Sequence, residues 1–169
     1  MIAAAEPVSV EVDAPAPLVY EMLAAAGQGT PGPDERVEVH LREERRMVAD
    51  FWTRVPLPAG RSRIVRTREE VEFRPPDRID YRHLDGPLRG LVESIVVAPV
   101  DGARRRSHLR YEAAFPQVGW LQFVVFRLVM RRILRQTIAA HFADLRARAE
   151  VRARRSRVFA DVPSGDRPR

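Results

Sequence analysis

The chain has no cysteine, no lysine and no asparagine. Without cysteine there is neither a disulfide nor a thiolate metal site. Without lysine, all 29 basic residues are arginine, the pattern that a genome-wide codon bias would produce, which weakens any argument from arginine content alone. No run of about 18 apolar residues occurs, so no segment is expected to span a bilayer. The opening residues, Met1-Ile2-Ala3-Ala4-Ala5-Glu6-Pro7, lack a basic stretch and a full apolar stretch. A signal peptide is therefore not expected, and a cytoplasmic location is the default. The histidines, His40, His83, His108 and His141, show no helical i, i+4 pairing around a carboxylate. No glycine-rich phosphate loop follows a strand, so neither a metal nor a cofactor is expected.

What is present is a chain of 169 residues, enough for one domain with a sizeable core. Its net charge of +6 is uneven: residues 1–115 carry −2 and residues 116–169 carry +8. A basic end can attract nucleic acid or anionic lipid. It is more often a solvated face, and no nucleic acid is expected.

The basic end follows an apolar block that starts at Val118. Leu121, Val124, Val125, Leu128, Ile138, Phe142, Leu145 and Ala149 keep the spacing of one helical face. No proline or glycine interrupts from Trp120 to Ser156. The pattern predicts one helix of about 55 Å at about 1.5 Å per residue. Phe123, Phe126, Val129, Met130 and Ile133 form a second apolar stripe, so the first half is buried on two sides or lines a cavity.

Before it, Val8 to Val12 alternates as a strand. Asp13 and Pro15 open a short helix whose apolar face is Leu18, Val19, Met22 and Leu23. Gly27 to Pro33 is a loop. Strands are then expected over Val37–Arg42, Met47–Val55, Arg63–Phe73, Arg78–Leu84, Leu88–Val97 and His108–Phe115, joined by turns at residues 56–60, 75–77, 85–87 and 101–102. Short turns imply antiparallel pairing. The order is strand, short helix, about six antiparallel strands, long helix. A sheet with one apolar face needs a cover, and the long helix is the one candidate large enough. This is an α+β architecture, a curved sheet of about 6–7 strands wrapped on a C-terminal helix. Residues 1–157 form the domain, and residues 158–169 read as a disordered tail.

That order, with its local residues, resembles the START-like (SRPBCC, helix-grip) superfamily, of the polyketide cyclase/dehydrase and lipid-transport type. The resemblance rests on Val10-Glu11-Val12-Asp13-Ala14-Pro15 with Leu18-Val19-Tyr20, and on residues 75–82 and 85–90. It rests also on Leu109-Arg110-Tyr111-Glu112 and on residues 138–145. It covers roughly residues 6–157 and implies a deep cavity between sheet and helix, where members bind lipids, quinones, hormones or polyketides. In the aromatase/cyclase branch an arginine on the corresponding strand points into the pocket, and Arg68 is the matching position. The residues 24–35, aromatic at the pocket mouth in that branch, contain no aromatic here.

Candidate site residues follow from strand faces. Arg66 and Arg68 share a face with Ile64. They either enter the pocket, where a guanidinium could stabilise an enolate, or form the polar outer face with Glu70 and Glu72. Tyr81 and His83 share a face with Ile79 and could serve as acid and base, or as core and rim. Glu93 lies among Leu91, Ile95 and Val97. If it faces inward it needs a cationic partner, expected to be Arg66 or Arg68. Tyr111 shares a face with Leu109 and Ala113. Phe51 and Trp52 point oppositely, so one of them lines the cavity. Arg68, Tyr81 and His83 are thus catalytic candidates, and Phe51, Arg66, Glu93, Tyr111, Phe123, Phe126 and Met130 are ligand-binding candidates.

The first functional reading is a binder of a hydrophobic, ring-containing small molecule. The second is a polyketide cyclase or aromatase in the same cavity. The third is a membrane-peripheral or interaction module using Trp120, Phe123, Phe126 and the neighbouring arginines. Oligomeric state is not set by the sequence.

Overall fold

Alternation of apolar and polar residues does most of the architectural work. The computed structural model describes residues 2–25, 36–56, 60–100, 103–117, 119–126, 128 and 131–155. In chain order the elements are β1 (Ala3–Ala4), β2 (Val8–Val12), α1 (Ala16–Ala24), β3 (Arg36–Arg42), β4 (Arg46–Pro56) and β5 (Ser62–Arg74). They continue with β6 (Arg78–Asp85), β7 (Val92–Val100), β8 (Ala103–Phe115), α2 (Trp120–Val125) and α3 (Arg131–Arg155). The strands form one curved, unclosed antiparallel sheet in the order β1-β8-β7-β6-β5-β4-β3, with β2 also paired to β8.

On β5 the alternation is visible residue by residue. Thr67, Glu69, Val71 and Phe73 are buried, while Arg66, Glu72 and Arg74 are exposed. Register carries this inner face across the sheet. Val71 stands opposite Met47 and Tyr81, Tyr81 opposite Glu93, and Ile95 opposite Tyr111. The core forms where this face meets α1, through Leu18, Val19 and Leu23, and α3, through Phe142, Leu145, Ala149 and Ala153. Each large apolar side chain so buried contributes roughly 1.5–3 kcal/mol. Ala149 and Ala153 are small, which lets α3 lie close.

Helix is described at both ends of the expected stretch, as α2 and α3, and α3 spans 25 residues, about 37 Å at about 1.5 Å per residue; residues 127 and 129–130 between them lie outside the described residues. Several local expectations are corrected. Leu128, placed on the apolar face by spacing, is 73% exposed, and Val124 is exposed too. Pro15 rather than Asp13 bounds α1, with no side-chain cap. The Asp13 amide instead donates to Glu150 Oε1 on α3 at 3.3 Å. Leu88 lies in the loop before β7, not in the strand. The loop at 27–33, the turn at 101–102, Met130 and the tail at 158–169 lie outside the described residues. Among the described residues, no helix is long and apolar enough to cross a membrane.

The β6–β7 connection bears directly on the site. Gly86 has φ +98°, and a Cβ there would meet the Arg66 carbonyl oxygen at 2.7 Å. Glycine thus lets the loop press onto β5. Behind it, the His83 amide donates to the Leu91 carbonyl and the Gly90 amide to the His83 carbonyl, each at 2.9 Å. His83 is thus tied to this connection through both its amide and its carbonyl.

Candidate functional site

A polar row crosses the inner face of the sheet. It runs from Thr67 and Glu69 on β5, through His83 on β6 and Glu93 on β7, to Tyr111 on β8. All five residues are buried. Glu69 and His83 are register partners. Glu93 stands opposite Tyr81, one pleat away, and reaches His83 diagonally.

The contacts are continuous. Thr67 Oγ1 donates to Glu69 Oε1 at 2.5 Å. Glu69 Oε1 lies 3.5 Å from His83 Nδ1. His83 Nε2 and Glu93 Oε2 are hydrogen-bonded at 2.9 Å. The Tyr111 hydroxyl donates to Glu93 Oε1, and its ring meets Phe142 of α3 edge-on at 6.4 Å. His83 Nδ1 is buried without a hydrogen-bond partner.

Burial and charge set the electrostatics. Burial pushes the Glu69 carboxyl up, against the charge of His83 and the Thr67 hydrogen bond. Burial, the largest influence on His83, acts downward, but its hydrogen bond to Glu93 and the charges of Glu69 and Glu93 carry it upward on balance. Burial and the nearby Glu93 charge push Tyr111 well above its ordinary range. Burial and the charges of Glu69 and Glu93 do the same for Tyr81.

Around the row, Phe51, Tyr81 and Phe123 are half-buried against the core. Phe126 is buried, edge-on to Phe115 at 5.2 Å. Phe51 faces inward opposite Thr67, while Trp52 faces outward under the Arg36 guanidinium at 4.6 Å. The alternative that Phe51 and not Trp52 lines the inner face is the one realised.

Arg66 and Arg68 are the main displacement from expectation. Both lie on the outer face, so neither enters the inner face and neither partners Glu93. Their strand positions are out of phase with Thr67 and Glu69, and a buried carboxylate on the outer side claims them. Arg66 Nε and Nη2 donate to Asp50 Oδ2 at 3.0 and 2.7 Å. Arg68 Nε and Nη2 donate to Asp50 Oδ1 and Oδ2 at 2.8 and 3.1 Å. His40 Nε2 is 3.0 Å from Asp50 Oδ2. The Arg68 hydrogen bond, joined by those of Arg66 and His40, holds the Asp50 carboxyl far below the usual range.

Glu69 and Thr67 are the members the sequence did not single out. The available signal was Glu69 alternating with Val71 and Phe73, a carboxylate on an apolar face. A spacing rule does not see the Glu69–His83–Glu93 set, because its members come from three strands. Their donor atoms nevertheless lie within 4.8 Å of one another, a group able to hold a metal ion.

No protein-family model and no curated protein matches the sequence. Solved structures do. An aromatase/cyclase from Streptomyces sp. R1128 superposes with a TM-score of 0.74 at 21% identity, covering 92% of this chain and 98% of that one. A di-domain aromatase/cyclase from the steffimycin biosynthetic pathway gives 0.62 at 17%, covering 90% of this chain and 52% of that one. A START superfamily protein from Mycobacterium smegmatis gives 0.57 at 14%, covering 88% and 99%. At these identities the likeness establishes the fold: the chain has the START-like, helix-grip architecture.

Proposed function

We propose that this START-like chain binds a hydrophobic, ring-containing small molecule between the inner face of the sheet and the C-terminal helices. The observation that carries this is the buried polar row on an otherwise apolar face. Burying ionisable groups costs stability, and such groups concentrate where a site needs them. Phe51, Tyr81 and Phe123 offer ring-shaped apolar contact, and the row offers hydrogen-bonding groups to the ligand's oxygens. A polyketide-, quinone- or lipid-like molecule fits that chemistry. Shared architecture with proteins named as aromatase/cyclases supports the polyketide end of this range by analogy of fold.

The second reading is a polyketide cyclase or aromatase in the same place. Tyr81 favours it: its hydroxyl is carried on the inner face, opposite Glu93 in register, and can donate to an oxygen on which charge develops. Arg68 takes no part, being bound to Asp50 on the other face.

Native mass spectrometry of the purified protein, followed by denaturation and extraction, tests the first reading. A co-purifying apolar molecule of defined mass is the expected result. A hydroxyanthraquinone probe then compares variants. Phe123→Ala weakens its binding at least fivefold, while Arg152→Ala, on the exposed side of α3, leaves it unchanged. Equal effects of the two would sink the reading. Tyr81→Phe separates the second: it slows turnover of a released ligand while binding persists.

A further inference from the structure

We propose that Glu69 and His83 directly bind a divalent metal ion, with Glu93 orienting the imidazole and balancing the charge. The fold assembles the set from adjacent strands. Glu69 and His83 face each other in register, and Glu93 closes from β7.

The histidine shows where the ion belongs. Its Nε2 is engaged with Glu93 Oε2 at 2.9 Å. A proton on Nε2, donated to Glu93, leaves a lone pair on Nδ1. That Nδ1 is buried, has no hydrogen-bond partner and lies 3.5 Å from Glu69 Oε1. The residue is 4% exposed. A carboxylate holding one imidazole nitrogen while the other faces a donor oxygen is the arrangement that orients metal-bound histidines. Two donors each about 2.0–2.2 Å from an ion at tetrahedral angles lie about 3.3–3.6 Å apart, which matches the Nδ1–Oε1 separation. Thr67 fixes the Glu69 carboxylate by donating to it, and Tyr111 fixes Glu93 in the same way.

Charge supplies the second argument. Two buried carboxylates face a single imidazole, and the cationic partner the structure gives both is His83. Even a protonated imidazole leaves one negative charge in a low-dielectric interior, a costly arrangement. A divalent ion with a neutral imidazole and two carboxylates is balanced. One nitrogen and carboxylate oxygens, with no thiolate, suit zinc, cobalt, manganese or ferrous iron. Water or ligand oxygens complete the coordination. The metal site lies in the same polar row that carries the apolar-ligand reading, and the two are separated by experiment: ligand binding is measured on the metal-free protein, and metal uptake on protein free of ligand.

Zinc is the probe ion. Chelator-treated protein is titrated with zinc chloride by calorimetry. One equivalent per chain is expected. Glu69→Gln and His83→Gln abolish uptake, and Glu93→Gln weakens it about 10–100-fold. His40→Gln, on the outer face, leaves it unchanged. No saturable one-to-one uptake by the folded protein overturns the proposal, as does equal uptake by His83→Gln. Cobalt needs no variant: intense visible bands of low-coordinate cobalt support the site, and the weak spectrum of the hydrated ion overturns it.

Discussion

Asp50 and Glu69 are buried carboxylates less than one pleat apart, yet they live on opposite sides of the same sheet. Ala49, the neighbour of Asp50 on β4, is the register partner of Glu69 on β5. Outward, Asp50 collects two guanidinium groups and an imidazole, and they hold its carboxyl ionised far below its ordinary range. Inward, Glu69 meets a hydroxyl and one histidine, and burial raises it instead. The same side-chain chemistry is a fastener on one face and an under-compensated charge on the other. Ion pairing is concentrated outside, and weakly compensated burial is concentrated inside.

Substitutions test that contrast. The largest effect is expected inside, where His83→Leu leaves two carboxylates facing each other without a cation. Urea unfolding at pH 7 is expected to show a loss of about 3–5 kcal/mol. A loss below 1 kcal/mol would mean that the inner carboxylates are compensated by other means. Next comes Asp50→Ala, which strips the outer arginines of a shared acceptor. The expected loss is about 1–3 kcal/mol, moderated because both guanidinium groups reach solvent.

Acid sharpens the comparison further. The folded pKa of Asp50 lies below its ordinary 3.8, and that of Glu70 is lowered too, by Arg82 and Arg46. Their stabilisation is complete above the ordinary carboxylate range and is lost as pH falls through the folded values. Stability measured down from pH 5 is expected to fall, and the slope below pH 4 is expected to shrink in Asp50→Ala. Glu69→Gln is a smaller change: it keeps an acceptor for Thr67 and removes a buried charge, so stability stays within about 1 kcal/mol or rises. Smallest of all is Arg68→Ala on ligand binding. No change in hydroxyanthraquinone affinity is expected, and a fivefold loss would bring the outer face back into the site.

Much of this was readable before any coordinates. The alternation on β5 already separates Val65, Thr67, Glu69, Val71 and Phe73 from Ile64, Arg66, Arg68, Glu70 and Glu72, and the structure keeps that division. The inward faces of Tyr81, His83, Glu93 and Tyr111 follow from their apolar companions Ile79, Ile95 and Leu109. Alternation, though, yields two faces without saying which is inner. A resemblance that points Arg68 inward competes there with the plainer signal of Val71 and Phe73. Partner identity was less accessible. Glu93 finds His83 through a diagonal across β6 and Tyr111 through β8, and neither relation has a sequence spacing. Ideal helical spacing also misplaced Leu128, because a period alone does not say which positions the fold covers. Tertiary packing buries Phe126 and leaves Leu128 out.

The order of the elements has a bearing on how the protein is made. The sheet is complete at Phe115, and its cover, α3, begins only at Arg131. During synthesis at about 5–20 residues per second, the strands leave the ribosome seconds before the helix that shields them. For that interval the inner face that carries Met47, Val71, Ile79 and Leu109 has α1 beside it but lacks α3, so part of its apolar surface stays uncovered. Completion comes when Phe142, Leu145 and Ala149 arrive and the Asp13 amide finds Glu150. The beginning of the chain is thereby clasped by nearly its last described turn.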